Sequence, residues 1–261
     1  MRFLGIDLAW KDGNPSGLAL LGGQKFPLHL RETVHTLDRH PEVHGWIARQ
    51  VRNHRAAVGV DAPLLGLGTG ARRECDDAIS RAFGRFHAST HSPSRFPGLE
   101  HFAARLVRDH GMRCFAPDWR PAPALPAIRE VYPNALQVML FGLDTKPRST
   151  IVKYKRRRFS TKADWVHRGL GPFVRKLMNV VAGRYVVPAG REWQALVSAT
   201  PSPSMTGSEL KSIEDQWDAL LCALAVALEF FQKDSMRPYP DSYNWRQGYI
   251  LAPVPGGSGN Q

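Results

Sequence analysis

The sequence predicts an α/β fold built on a mixed sheet. Three strand-like runs open the chain with short links between them, the pattern of an antiparallel meander. A helix-periodic segment then leads into the apolar run Ala56-Ala57-Val58-Gly59-Val60, the order of a right-handed crossover into a parallel strand. With 261 residues, 43% of them hydrophobic, the chain has enough apolar material for one large domain with a proper core.

Taken in order, Arg2-Phe3-Leu4-Gly5-Ile6-Asp7 is a short apolar strand ending on a carboxylate. A turn over residues 11–15 leads to Ser16-Gly17-Leu18-Ala19-Leu20-Leu21, a second strand. Residues 26–34 alternate loosely, and Pro27 confines that strand to an edge or to its later part. Residues 41–54 place Val43, Trp46, Ile47 and Val51 at helical spacing, with Pro41 suited to the first turn. The next strand ends on Asp61 and is stopped by Ala62-Pro63. Residues 65–70 carry G-x-G-x-G without the Lys-Ser/Thr of a phosphate loop, and are expected to form a rim loop.

Helices are expected over 71–84 and 99–110, with a loop over 86–97 between them. Pro117, Pro121, Pro123 and Pro126 mark 114–126 as an irregular connection. Ala127-Ile128-Arg129-Glu130-Val131-Tyr132 is a further strand-like run with an acid in it, followed by a short helix over 134–141. Residues 146–158 are strongly basic and culminate in Lys153-Tyr154-Lys155-Arg156-Arg157-Arg158. Another helix opens at Thr161, and residues 184–205 are mixed.

The last long helix has the clearest signal. Thr206 and Glu209 form a capping box, and Trp217, Leu220, Leu221, Leu224, Leu228 and Phe231 form an apolar stripe. Asp218, Cys222 and Ala225 share a neighbouring face of mostly small side chains. Such a face can approach a sheet closely and set Asp218 near a strand end. One domain over 1–253 is expected, with a disordered Gly- and Ser-rich tail at 254–261.

Composition narrows the function classes. No apolar run reaches the length of a membrane span, and the N-terminus lacks the pattern of a signal peptide. Three widely spaced cysteines disfavour a disulfide framework or a structural zinc site, so a cytoplasmic location is expected. The net charge of +12 suits a polyanion partner, though Arg-rich proteins are often basic without one. His87 and His91 sit in a Ser/Pro loop with no third zinc ligand, and no G-x-S-x-G motif is present.

The chemistry then rests on acids. Asp7, Asp61 and Glu130 lie at or near the ends of apolar strands, and Asp215 and Asp218 lie on the last helix. Carboxylates so placed suit Mg²⁺ or Mn²⁺, and two such ions activate water and stabilise a leaving oxygen in phosphodiester cleavage. Each acid has a plainer reading. Asp61 before Ala-Pro fits an Asx turn, Glu130 can pair with an Arg, and the helix acids can be solvated. Glu74, Asp76 and Asp77 read as helix N-terminal charges. The basic run fits a solvated segment or a phosphate-binding surface equally well, and Tyr154 within it is placed to stack on a base.

Gly5-Ile6-Asp7, Val60-Asp61-Ala62-Pro63, Arg73-Glu74-Cys75-Asp76, Glu130-Val131-Tyr132-Pro133 and Asp215-Gln216-Trp217-Asp218-Ala219-Leu220 resemble, in that order, the motifs of the DUF429 family. The resemblance spans residues 3–230 and implies a ribonuclease H-like fold. That is a mixed five-stranded sheet flanked by helices, with insertions at about 65–126 and 142–205. It further implies a nuclease whose Asp7, Asp61 and Asp218, with Glu130, gather as catalytic and metal-binding acids, Asp215 adding to the metal set. Lys153, Lys155, Arg156 and Arg73 are the expected substrate-binding residues, and nucleic acid the expected partner. Two other readings stand beside this one. An actin-like sugar kinase or ATPase is disfavoured by the bulk of Leu8-Ala9-Trp10 where a phosphate loop needs small residues. A non-catalytic nucleic-acid or protein-binding module would keep the fold without turnover.

Overall fold

A computed structural model of the chain describes residues 1–37, 39–66, 72–90, 99–114, 125–241 and 248–256. Strands β1 (Arg2–Asp7), β2 (Ser16–Gly22) and β3 (His29–Leu37) form the antiparallel meander. Helix α1 (His40–Val51) then leads to β4 (Ala56–Val60), which pairs parallel to β1. After α2 (Glu74–Phe83) and α3 (Leu99–His110), β5 (Ala127–Glu130) adds parallel to β4. The order β3-β2-β1-β4-β5 is a five-stranded mixed sheet flanked by helices, consistent with the ribonuclease H-like fold that the resemblance implies.

Alternation of side chains divides the sheet into two buried faces. Leu4, Ile6, Val58, Val60 and Ile128 pack with α1 and α3, around Trp46 and Phe102. Phe3, Ala19, Leu21 and Ala57 face the other way and share a core with α8 (Gly207–Phe231). Between β5 and α8 the chain forms α4 (Pro133–Leu140), α5 (Lys162–Asp164), a π turn at Trp165–Leu170, α6 (Gly171–Val181) and α7 (Arg191–Ser198).

Helix α8 starts where the capping box predicts. Thr206 Oγ1 accepts from Glu209 N at 3.2 Å, and Glu209 Oε2 accepts from Thr206 N at 2.6 Å. The helix is seated in a groove made by three glycines on neighbouring strands. A Cβ at Gly17, Gly5 or Gly59 would overlap the backbone of Asp215, Ala219 or Cys222 respectively. The helix backbone therefore rests directly on β2, β1 and β4, and its residues 215–222 are fixed over the sheet.

Some boundaries differ from the sequence expectation. Helix α2 begins at Glu74, because Arg73 stays extended as its N-cap and turns its side chain into ion pairs. Helix α7 and a two-stranded antiparallel sheet of β6 (Met236–Tyr239) and β7 (Ile250–Pro253) were not foreseen. Pro238 and Pro253 argue against strands in the sequence, yet a two-stranded ribbon consists of edge strands, which tolerate a missing N–H. Residues 67–70 of the expected glycine-rich loop, the later half of the Ser/Pro loop from His91 on, residues 115–124 and the tail at 257–261 lie outside the described residues.

Candidate active site

Parallel pairing of β1 and β4 sets two aspartates side by side. Ile6 is in register with Val60, and Asp61 N donates to Ile6 O at 2.8 Å. Asp7 and Asp61 thus lie next to each other at the carboxyl ends of adjacent strands, lining a cleft of about 770 Å³. Ligands in open α/β sheets bind outside this edge. From above, the glycine groove sets Asp215 and Asp218 on α8 over the same strand ends. Asp7 and Asp215 share a hydrogen bond between their carboxyl groups.

Asp218 is fully buried. Its Oδ1 accepts from the Tyr154 hydroxyl at 2.5 Å, and Oδ2 accepts from Lys155 Nζ in a very short ion pair. Lys155 Nζ also lies 3.2 Å from Glu214 Oε1 and 4.0 Å from Asp7 Oδ2. Lys211 Nζ bridges Glu214 Oε1, at 2.9 Å, and Asp215 Oδ1. On the other side, His35 Nε2 meets Asp215 Oδ2 at 3.2 Å. Five carboxyl groups, those of Asp7, Asp61, Glu214, Asp215 and Asp218, are thus served by two ammonium groups and one imidazole.

That imbalance determines where protons go. Burial raises Asp61 well above the ordinary carboxylate range, and the charge of Asp7 adds to it. Burial pushes Asp218 up to about 7, with Lys155 opposing and Asp7 adding. Burial and then Asp7 push Asp215 to about 6. For Asp7 burial acts in the same sense, but Lys155, Lys211 and the hydrogen bond to Asp215 outweigh it and hold the group below its usual value. Asp7 is the acid held ionised, whereas Asp61 is pushed furthest towards its protonated form and Asp218 and Asp215 less far. Lys155 is itself held well above its ordinary value, because Asp218 and further acids around it outweigh the effect of burial.

Ordered motifs, a mixed sheet and clustered strand-end acids are on one chain, and the comparison with known families agrees with them. Residues 5–243 match the model of the family described as Protein of unknown function (DUF429). The chain belongs to that family. No curated protein and no solved structure matches it.

Of the acids expected to meet in this DUF429 protein, Asp7, Asp61, Asp215 and Asp218 do so. Glu130 is placed differently. It is in register with Val60, and Val60 with Ile6, so alternation turns it away from the face that carries Asp7 and Asp61. Its oxygens accept from both terminal nitrogens of Arg73, at 2.5 and 2.9 Å, and from Leu64 N at 3.0 Å. Glu130 lines the side of the cleft as the partner of an arginine.

Arg73 was expected at the substrate. Its N–H donors instead go to Asp76, Glu130 and Leu65 O, and its side chain is buried. It organises the wall. Asp76, read from sequence as a helix-dipole charge, is its buried partner.

The basic run divides into an inner and an outer part. Tyr154 is buried and stacked on Phe173, with ring centroids 3.8 Å apart at 7°, and its carbonyl accepts from Trp165 Nε1 at 2.5 Å. The expectation that it stacks on a base is therefore corrected: the ring anchors the segment inside the protein. Lys155 follows it into the acid cluster, whereas Arg156, Arg157 and Arg158 form an exposed 3₁₀ turn. Arg156 and Arg157 line the mouth of the cleft. Lys153 is half-buried, with its ammonium on His87 O beside a smaller hollow.

Sequence reasoning passed over Glu214, Lys211 and His35. Glu214 and Lys211 had a signal, since they lie four and seven residues before Asp218 and so share its side of a helix. His35 had none. As a donor set, the clustered carboxylates are the hard oxygen ligands that Mg²⁺ and Mn²⁺ prefer. Among the described residues, no three metal-ligating side chains already surround a common point. Lys155 stands among them. Among the same residues, no helix is long and apolar enough to cross a membrane.

Proposed function

We propose that this DUF429 protein is a metal-dependent nuclease that hydrolyses phosphodiester bonds of nucleic acid, working in the cytoplasm. The observation that carries this reading is the meeting of Asp7 and Asp61 on adjacent strand ends with Asp215 and Asp218 from α8, beneath a rim of arginines. Asp7, Asp61 and Asp218, with Asp215 beside them, would hold Mg²⁺ or Mn²⁺, which supplies an activated water and charge stabilisation at the leaving oxygen.

The chain's own groups do the rest. Ionised Asp7 is central, reaching towards Lys155 and hydrogen-bonded to Asp215. Asp61, pushed towards its protonated form by burial and Asp7, would lose that proton in binding a divalent cation, and Asp218, already an acceptor from Tyr154 and Lys155, would present its oxygens to one. Arg156 and Arg157 position phosphates at the mouth. Trp10 and Pro63 give the cleft apolar walls, which lower the local dielectric and strengthen each charge interaction within. Tyr154 and the π turn behind it hold the basic segment in place.

The test is hydrolysis of end-labelled single- and double-stranded RNA and DNA with Mn²⁺, comparing wild type with Asp7→Asn. Asp7→Asn is expected to lose at least ~10²-fold in rate, the scale of removing one preorganised charged group from an active site. Cleavage that survives the substitution sinks the assignment. Salt-sensitive binding without turnover would instead identify a binding module.

A further inference from the structure

Glu214 is the acid that the nuclease reading does not use. It precedes Asp218 by one helical turn on α8, and its side chain is only 2% exposed although it borders the cleft. Its Oε1 receives both lysines, while among the described residues its buried Oε2 meets no hydrogen-bond partner. A buried anionic oxygen left unpaired is costly, and it points to a ligand with more positive charge than the two ammonium groups provide.

Lys155 shows where that charge sits. Its Nζ is surrounded by Asp218 Oδ2, Glu214 Oε1 and, at 4.0 Å, Asp7 Oδ2, three carboxylates from two elements. This all-oxygen, anionic surrounding is the one a small divalent cation takes. The carboxylates are fixed on a strand and a helix that the glycine groove locks together. The lysine is not fixed in the same way. Its backbone is pinned by buried Tyr154, but its side chain is a flexible stem, 30% exposed, that lines the same cleft as Arg156 and Arg157.

We propose that Glu214 and Asp218 form a divalent-cation site whose charge Lys155 supplies until the ion displaces it, so that Glu214 is a metal ligand and Lys155 a resident counter-cation. The inference rests on the metal reading of the cluster and extends it to a new ligand and to a competition. Displacement carries the Lys155 ammonium outwards to the arginine rim, where it joins the phosphate-binding surface. The basic run is then one device with two ends: Arg156 to Arg158 receive a polyanion, and Lys155 vacates the acids.

The experiment titrates chelator-treated protein with Mn²⁺ and follows free Mn²⁺ by electron paramagnetic resonance. Lys155→Met is expected to bind Mn²⁺ about tenfold tighter or more, because a competing cation is gone. Glu214→Gln is expected to bind it at least ~10-fold more weakly. Unchanged affinity in both variants overturns the inference. If Asp7→Asn alone then abolishes binding, the metal reading survives without it. If wild type and all variants bind no Mn²⁺, both fall together. A second measurement needs no variant: amine labelling of the wild-type protein, read by mass spectrometry with Lys146 as exposed reference. Labelling of Lys155 rises several-fold at saturating Mn²⁺ if the ion displaces it, and unchanged labelling overturns the displacement.

Discussion

At the residue scale, Asp61 destabilises the fold that holds it. Burial and the charge of Asp7 raise it well above the ordinary range, and Asp218 and Asp215 are raised to about 7 and about 6. Unfolded, each would titrate near ~3.9. At these three acids the folded protein therefore binds more protons than the unfolded one, and buried His44, lowered to about 4, opposes them only in part. The stability linked to these groups is complete below pH ~4 and is lost as pH rises through about 6 and 7. In chelator, urea denaturation should give a lower stability at about pH 8 than at about pH 5.5. Asp61→Asn should raise stability at about pH 8 and flatten the pH dependence, because the neutral amide keeps what the raised carboxyl loses. A variant less stable than wild type at that pH would mean that the Asp61 carboxylate is favourably paired. Asp7, Asp61 and Asp218 were legible in the sequence because an acid closing an apolar strand, or set on a small-residue helix face, breaks a pattern. Glu214 breaks none by itself, since a solvated and a buried helix acid read alike, and only its spacing of four residues from Asp218 marks it. Glu130 could be placed only once strand register told its face from that of Asp61.

At the scale of elements, the site depends on how closely α8 lies on the sheet. Its cap and apolar stripe are local patterns, so its start and inward face could be read directly. Gly5, Gly17 and Gly59 looked like ordinary strand glycines, because their alignment into one groove exists only after β2, β1 and β4 pair. The β6–β7 ribbon and α7 were hidden for the opposite reason: their prolines and short length weaken every local signal. Gly59→Ala tests the groove. Its Cβ would overlap the Cys222 carbonyl, so α8 must shift, and overpacking of this kind costs about 1–3 kcal/mol. Gly45→Ala on α1 is the control. A Cβ there meets only the end of the Arg49 side chain, at 3.7 Å, and replacing a helical glycine should stabilise by roughly 0.5–1 kcal/mol. Thermal unfolding of the two variants should move in opposite directions. Equal effects would show that the helix does not depend on the glycine seat.

At the scale of the whole molecule, the charge distribution opposes what the net charge suggests. The chain carries +12, yet among the described residues the carboxyl groups of Asp7, Asp61, Glu214, Asp215 and Asp218 cluster around the two ammonium groups of Lys155 and Lys211. On the proposed function, a polyanion would be drawn to the exposed arginines and repelled by the acids, so a nucleic acid would stay at the mouth until cations screen them. Two consequences are measurable with a fluorescent single-stranded oligonucleotide in chelator. Binding should weaken steeply with salt, and replacing Arg156, Arg157 and Arg158 by Gln should make log Kobs against log[salt] shallower by about 0.7 for each phosphate that is no longer neutralised. Asp7→Asn should act in the other direction, tightening binding without changing the slope, since it removes the charge of the acid held ionised and neutralises no further phosphate. If the arginine variant keeps the wild-type slope, the basic run is a solvated surface and the polyanion docks elsewhere. If Asp7→Asn leaves affinity unchanged, the bound strand does not reach the acids, and the arginine rim and the carboxylate floor belong to separate functions.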